Sequence, residues 1–90
     1  MIRLYVWASH GGGLSVVWAG WERLDRAMMS FVLFGRYGGG WAPFGRLDDA
    51  ARAKYAEGAR RFTERYGVPV ELLYGVAPPE VEAISCDALA

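Results

Sequence analysis

The sequence predicts an α+β fold, in which a small antiparallel or mixed sheet of about three strands is packed by two helices, with a short helix near the C-terminal end. Three observations carry this. Residues 48–66 repeat apolar side chains at helical spacing. A glycine and a proline then lead into a short apolar run at 70–74. Residues 2–8 and 14–19 read as two strands around a glycine-rich connection. The whole of 1–90 reads as one domain.

The first strand is IRLYVWA, residues 2–8. Ile2, Leu4 and Val6 share one face, and Arg3, Tyr5 and Trp7 the other. A five-residue connection, Ser9 to Gly13, leads to a second strand over 14–19, with Leu14, Val16 and Trp18 facing together. Short glycine connections of this kind close antiparallel hairpins. Gly20 is expected to break the second strand.

From Trp21 the apolar spacing becomes helical, through Leu24, Met28, Phe31 and Val32, so a helix is expected over 21–34 with Gly35 ending it. The apolar run 28–34 also suits a strand, because short runs do not distinguish the two by period. The second half of this helix is apolar nearly all round, which suits burial on two sides or a subunit interface. Asp25 falls inside the apolar arc and reads as a helix cap or an arginine partner. Residues 35–45 hold five glycines and Pro43 and read as a loop, with Trp41 and Phe44 folding back on the core.

The second helix is the clearest element. Ala51, Tyr55, Ala59, Phe62 and Tyr66 line one face. Asp48 or Asp49 suits the N-cap, and Gly67 suits the left-handed position past the end. Glu57–Arg61 and Arg60–Glu64 stand four apart, each pair contributing roughly 0.2–0.5 kcal/mol. Val70, Leu72 and Tyr74 share a face of the next strand, which Gly75 closes. Over Glu80–Leu89, Val81, Ile84 and Ala88 fit a short helix, with Pro79 at its first position.

Composition limits the function classes. The formal charge is zero, which argues against a strong generic nucleic-acid binder. The charge is uneven: residues 67–90 carry four acids and no base. The flank of Lys54, Arg61 and Arg65 is the one candidate nucleic-acid surface, and it also fits a solvated helix side. Cys86 is the only cysteine, so no intrachain disulfide forms, and a cytoplasmic setting is expected. No secretory leader is read at the N-terminus, and the uncharged run 4–21 is interrupted by His10 and three glycines, so no membrane segment is expected.

His10-Gly11-Gly12-Gly13 resembles, over those four residues, the oxyanion-hole segment of lipase and esterase α/β-hydrolases. The rest of the chain departs from that family, with no G-x-S-x-G elbow and too short a length. What remains is a candidate loop for an anion or metabolite at His10, Gly11, Gly12 and Gly13. No catalytic set, metal site or cofactor is expected: one histidine and one cysteine stand far apart in sequence, and no phosphate or dinucleotide motif occurs.

The aromatic load is high, with four Trp, five Tyr and four Phe in ninety residues. A core this small does not easily hide all of them. The expected function is therefore a small, non-enzymatic protein-interaction, regulatory or inhibitor domain, of the kind an accessory protein of a phage or mobile element would be. It would use an apolar surface drawn from Trp7, Trp18, Trp21, Trp41, Phe31 and Phe34. The expected partner is another protein, a second copy of the chain, or both.

Overall fold

The computed structural model describes residues 1–11, 14–22, 26–34, 47–77 and 83–86. Four strands and two helices follow in the order β1 (Ile2–Gly11), β2 (Leu14–Trp21), α1 (Arg26–Phe34), α2 (Asp49–Tyr66), β3 (Val70–Tyr74) and β4 (Ala83–Ser85). The sheet is mixed, with spatial order β3-β1-β2-β4. β1 pairs antiparallel with β2 and parallel with β3, and β2 pairs antiparallel with β4.

Strand alternation sorts the side chains into two faces. Ile2, Leu4 and Val6 stand beside Val70, Leu72 and Tyr74 on β3. Leu4 and Val6 also face Trp21 and Ala19 on β2, and Ala19 faces Ile84 on β4. These residues form the core with Met29, Phe31, Val32 and Leu33 of α1 and Ala51, Tyr55, Ala59 and Phe62 of α2. Both helices therefore cover the same face of the sheet. Residues 29–33 of α1 are all buried, as an all-round apolar helix requires.

Helix α2 is fixed at both ends as its sequence implies. Asp48 precedes it in extended geometry, and its Oδ1 accepts from the Ala51 N–H at 2.9 Å. Gly67 follows at φ 72°, and its N–H donates to Thr63 O at 2.8 Å. Two further bonds tie α2 to the β3 segment: Thr63 Oγ1 donates to Val68 O at 3.0 Å, and Tyr74 Oη donates to Arg52 O at 3.3 Å. The helix thus delivers β3 alongside β1.

Several expectations are corrected. The β1–β2 ladder runs past Ser9 and His10 to the Gly11–Leu14 pair, so only two residues separate the strands, not five. Gly20 continues β2 instead of breaking it; it pairs with Tyr5 on one side and Ala83 on the other. Trp21 ends β2 opposite Leu4, and the first helix begins at Arg26. Pairing of Trp21 with Leu4, next to a Gly20 held from both sides, outweighs the helical spacing that Trp21 shares with Leu24 and Met28. Ala83–Ser85 is a strand, not part of a helix, because it completes the ladder along the outer edge of β2. Tyr66, assigned to the buried stripe, is 41% exposed. The expectations for Asp25, residues 35–45, Trp41, Phe44 and Pro79 fall outside the described residues.

Gly58 is buried where α2 crosses α1. A Cβ built there would collide with Val32 O and stand 2.8 Å from Val32 C. These are backbone atoms of α1, which no rotamer change can move aside. Alanine would ordinarily favour a helix interior over glycine by about 1 kcal/mol. Forced separation of the helices opposes that gain. Gly58→Ala is therefore expected to destabilise the fold by on the order of 2 kcal/mol, read as a lower urea midpoint. An unchanged or higher midpoint would show that the close approach is not required.

Candidate functional site

The face of the sheet turned away from the helices carries Tyr5, Trp7 and Trp18. Trp7 of β1 stands directly opposite Trp18 of β2, and Ser9 opposite Val16. Tyr5 faces Gly20 on one side and Leu73 of β3 on the other. Trp7, Val16, Trp18 and Leu73 are half-buried, whereas Tyr5 is only 8% exposed. Trp18 Nε1 donates to Ser9 Oγ at 2.8 Å, so one indole is oriented by the neighbouring strand. Arg3 and Glu71 are cross-strand neighbours on the same face. The result is a face of mixed aromatic and apolar residues with one base and one acid at its β3 side.

This surface extends along the hairpin. β3 pairs with β1 only as far as Val6, and β4 pairs with β2 only over Trp18–Gly20. Among the described residues, Ala8–Gly11 and Leu14–Val17 pair only with each other beyond that point, over roughly 14 Å at strand rise. The Trp7–Trp18 pair stands at the base of this stretch, where cross-strand aromatics stabilise it.

The other sequence candidates fall elsewhere. Phe31 is 6% exposed and packs edge-on against Phe62, with ring centroids 6.2 Å apart, so it is core and not interface. Trp21 lies on the helix-covered face against the core. Trp41 and the side chain of Phe34 are outside the described residues. The six proposed interface residues thus do not form one patch, and among the described ones the structure sets Trp7 beside Trp18. Tyr5, Val16 and Leu73 join them. The aromatic face of β1 was readable from alternation, but the register that sets Trp7 against Trp18 depends on the connection length.

His10 and Gly11 belong to β1, where they pair with Ser15 and Leu14, so their backbone lies in a ladder and not in an open loop. Gly12 and Gly13 are outside the described residues. On α2, Arg61 Nη2 stands 2.9 Å from Glu57, Arg60 Nη1 stands 2.6 Å from Glu64, and the Arg65 guanidinium lies 5.7 Å from the Tyr66 ring centroid. The exposed basic flank is therefore interleaved with acids, which weakens its pull on phosphates. Lys54 is half-buried on the same helix.

Chemistry-bearing clusters are scarce. Among the described residues, no three His, Cys, Asp or Glu side chains stand together to hold a metal ion. No described helix is long and apolar enough to cross a membrane. Compared with protein-family models, curated proteins and solved structures, the chain matches none at a significant level.

The most perturbed group is Tyr55. Its ring is fully buried, and its hydroxyl has no hydrogen-bond partner among the described residues. Burial pushes its pKa well above the usual phenol value of 10.0, and the nearby Cys86, Tyr74 and Asp48 push it the same way. Tyr74 is also raised by burial, partly opposed by the Arg52 guanidinium 4.9 Å from its ring centroid. A raised phenol pKa means that the folded state keeps a proton the unfolded chain releases above about pH 10. Stability is then full below that pH and falls as pH rises above it. Tyr55→Phe removes this alkaline loss and an unsatisfied buried group. It is expected to match or exceed wild type in melting temperature at pH 7 and to flatten the decline above pH 10. A lower melting temperature at pH 7 would mean that the hydroxyl is bonded in solution.

Proposed function

We propose that the chain is a non-enzymatic protein-interaction domain that presents the half-buried Trp7, Trp18 and Leu73 of its sheet, seated beside the buried Tyr5, to an apolar or aromatic segment of another protein. The observation that carries this reading is the directly opposed Trp7–Trp18 pair on the face that neither helix covers. Aromatic side chains are the usual anchors of interfaces, because they cover much area at low entropic cost. Near-neutral surroundings, with Arg3 beside Glu71, suit a partner recognised by apolar contact more than by charge. A regulatory or inhibitory role fits such a surface, and the single, buried Cys86 suits a cytoplasmic setting.

Panning a random peptide library against the immobilised protein tests the reading. Enriched peptides are expected to be rich in apolar and aromatic residues and to lose binding to Trp7→Ser and Trp18→Ser variants that remain folded by circular dichroism. Failure to enrich any sequence, or peptides that bind both variants as well as wild type, would contradict it.

A further inference from the structure

β3 is an edge strand, and its backbone specifies what can lie beside it. The Ile2 N–H donates to Pro69 O at 2.9 Å, and the Gly75 N–H donates to Val6 O at 3.0 Å. Those bonds fix the phase of the parallel ladder, so residues 71 and 73 turn their N–H and C=O groups towards β1. The N–H and C=O groups of Val70, Leu72 and Tyr74 therefore point outwards. No described residue supplies a backbone or side-chain partner to these six groups. Such a row is a template for another strand.

We propose that the second strand is β3 of another copy of this chain, paired antiparallel about a two-fold axis through Leu72. The register is self-complementary. Val70 lies opposite Tyr74 of the second copy, Leu72 opposite Leu72, and Tyr74 opposite Val70. All three pairs then join outward-facing residues, and six hydrogen bonds satisfy every outward group of both strands. On the helix side the facing side chains are apolar in each pair, and all are only partly buried in one copy. On the other side Glu71 meets Leu73 of the second copy, so no like charges stand directly opposite. The axis runs perpendicular to the sheet. The two four-stranded sheets become one of eight strands, with both aromatic faces on the same side. The inference stands on the backbone of β3 and does not rest on the aromatic-face reading.

Light scattering at several protein concentrations tests it. The wild type is expected at twice 9.9 kDa. Leu73→Glu sets a carboxylate against Glu71 of the second copy at two symmetric positions and is expected to give the monomer mass. Adding Glu71→Lys turns both contacts attractive and is expected to restore the dimer. Trp7→Ser is expected to stay dimeric, which separates this proposal from the one above. Should Leu73→Glu fail to fold by circular dichroism, Val70→Pro takes its place. It removes only an N–H that β1 does not use, and it is expected to be monomeric. A monomeric wild type, a dimer that neither variant disperses, or a dispersed dimer that the charge exchange does not restore would overturn the proposal.

Discussion

The contact between Gly58 and the Val32 carbonyl is the constraint on which the arrangement depends. It lets the backbone of α2 rest on the backbone of α1, so both helices fit over one face of a four-stranded sheet. Because α2 is held there, Tyr55 and Phe62 reach the core, and the chain leaves Gly67 in position to run alongside β1. The Thr63–Val68 and Tyr74–Arg52 bonds complete that placement. The parallel strand, its open edge and the aromatic face beside it are consequences of how closely two helices approach.

The two faces of the sheet are put to different uses. One is aliphatic and closed by the helices. The other gathers Tyr5, Trp7, Trp18 and Leu73 from three strands, which no single stretch of sequence could do. Strand length adds to this. Among the described residues, β1 and β2 pair with each other beyond the reach of β3 and β4. Trp21, Phe31, Tyr55, Phe62 and Tyr74 serve the helix-covered core, and Tyr5, Trp7 and Trp18 lie on the opposite face.

Local signals in the sequence were strong where local physics decides. Helix α2, with Asp48 and Gly67 at its ends, and strand β3, with Val70, Leu72 and Tyr74 on its core side, follow from spacing and capping alone. So does the aromatic face of β1. Elements decided by long-range pairing were not legible. Gly20 and Trp21 look like a break and a helix start, yet cross-strand partners hold them in β2. Ile84 fits helical spacing, yet the outer edge of β2 recruits it into a strand. Trp21 and Phe31 look like surface candidates because composition counts aromatics without locating them, and both pack on the helix side. Gly58 gave no warning, since a glycine within a helical pattern reads as a weak spot until its neighbour across the helix crossing is known.

This fold is a platform for strand and side-chain contacts, and residue-resolved amide hydrogen exchange at low and high protein concentration tests that most directly. The Val70, Leu72 and Tyr74 amides are expected to exchange freely when dilute and to become protected when concentrated, while the Glu71 and Leu73 amides, already bonded to β1, are slow at both. Outward amides that exchange at the same rate at every concentration would contradict it.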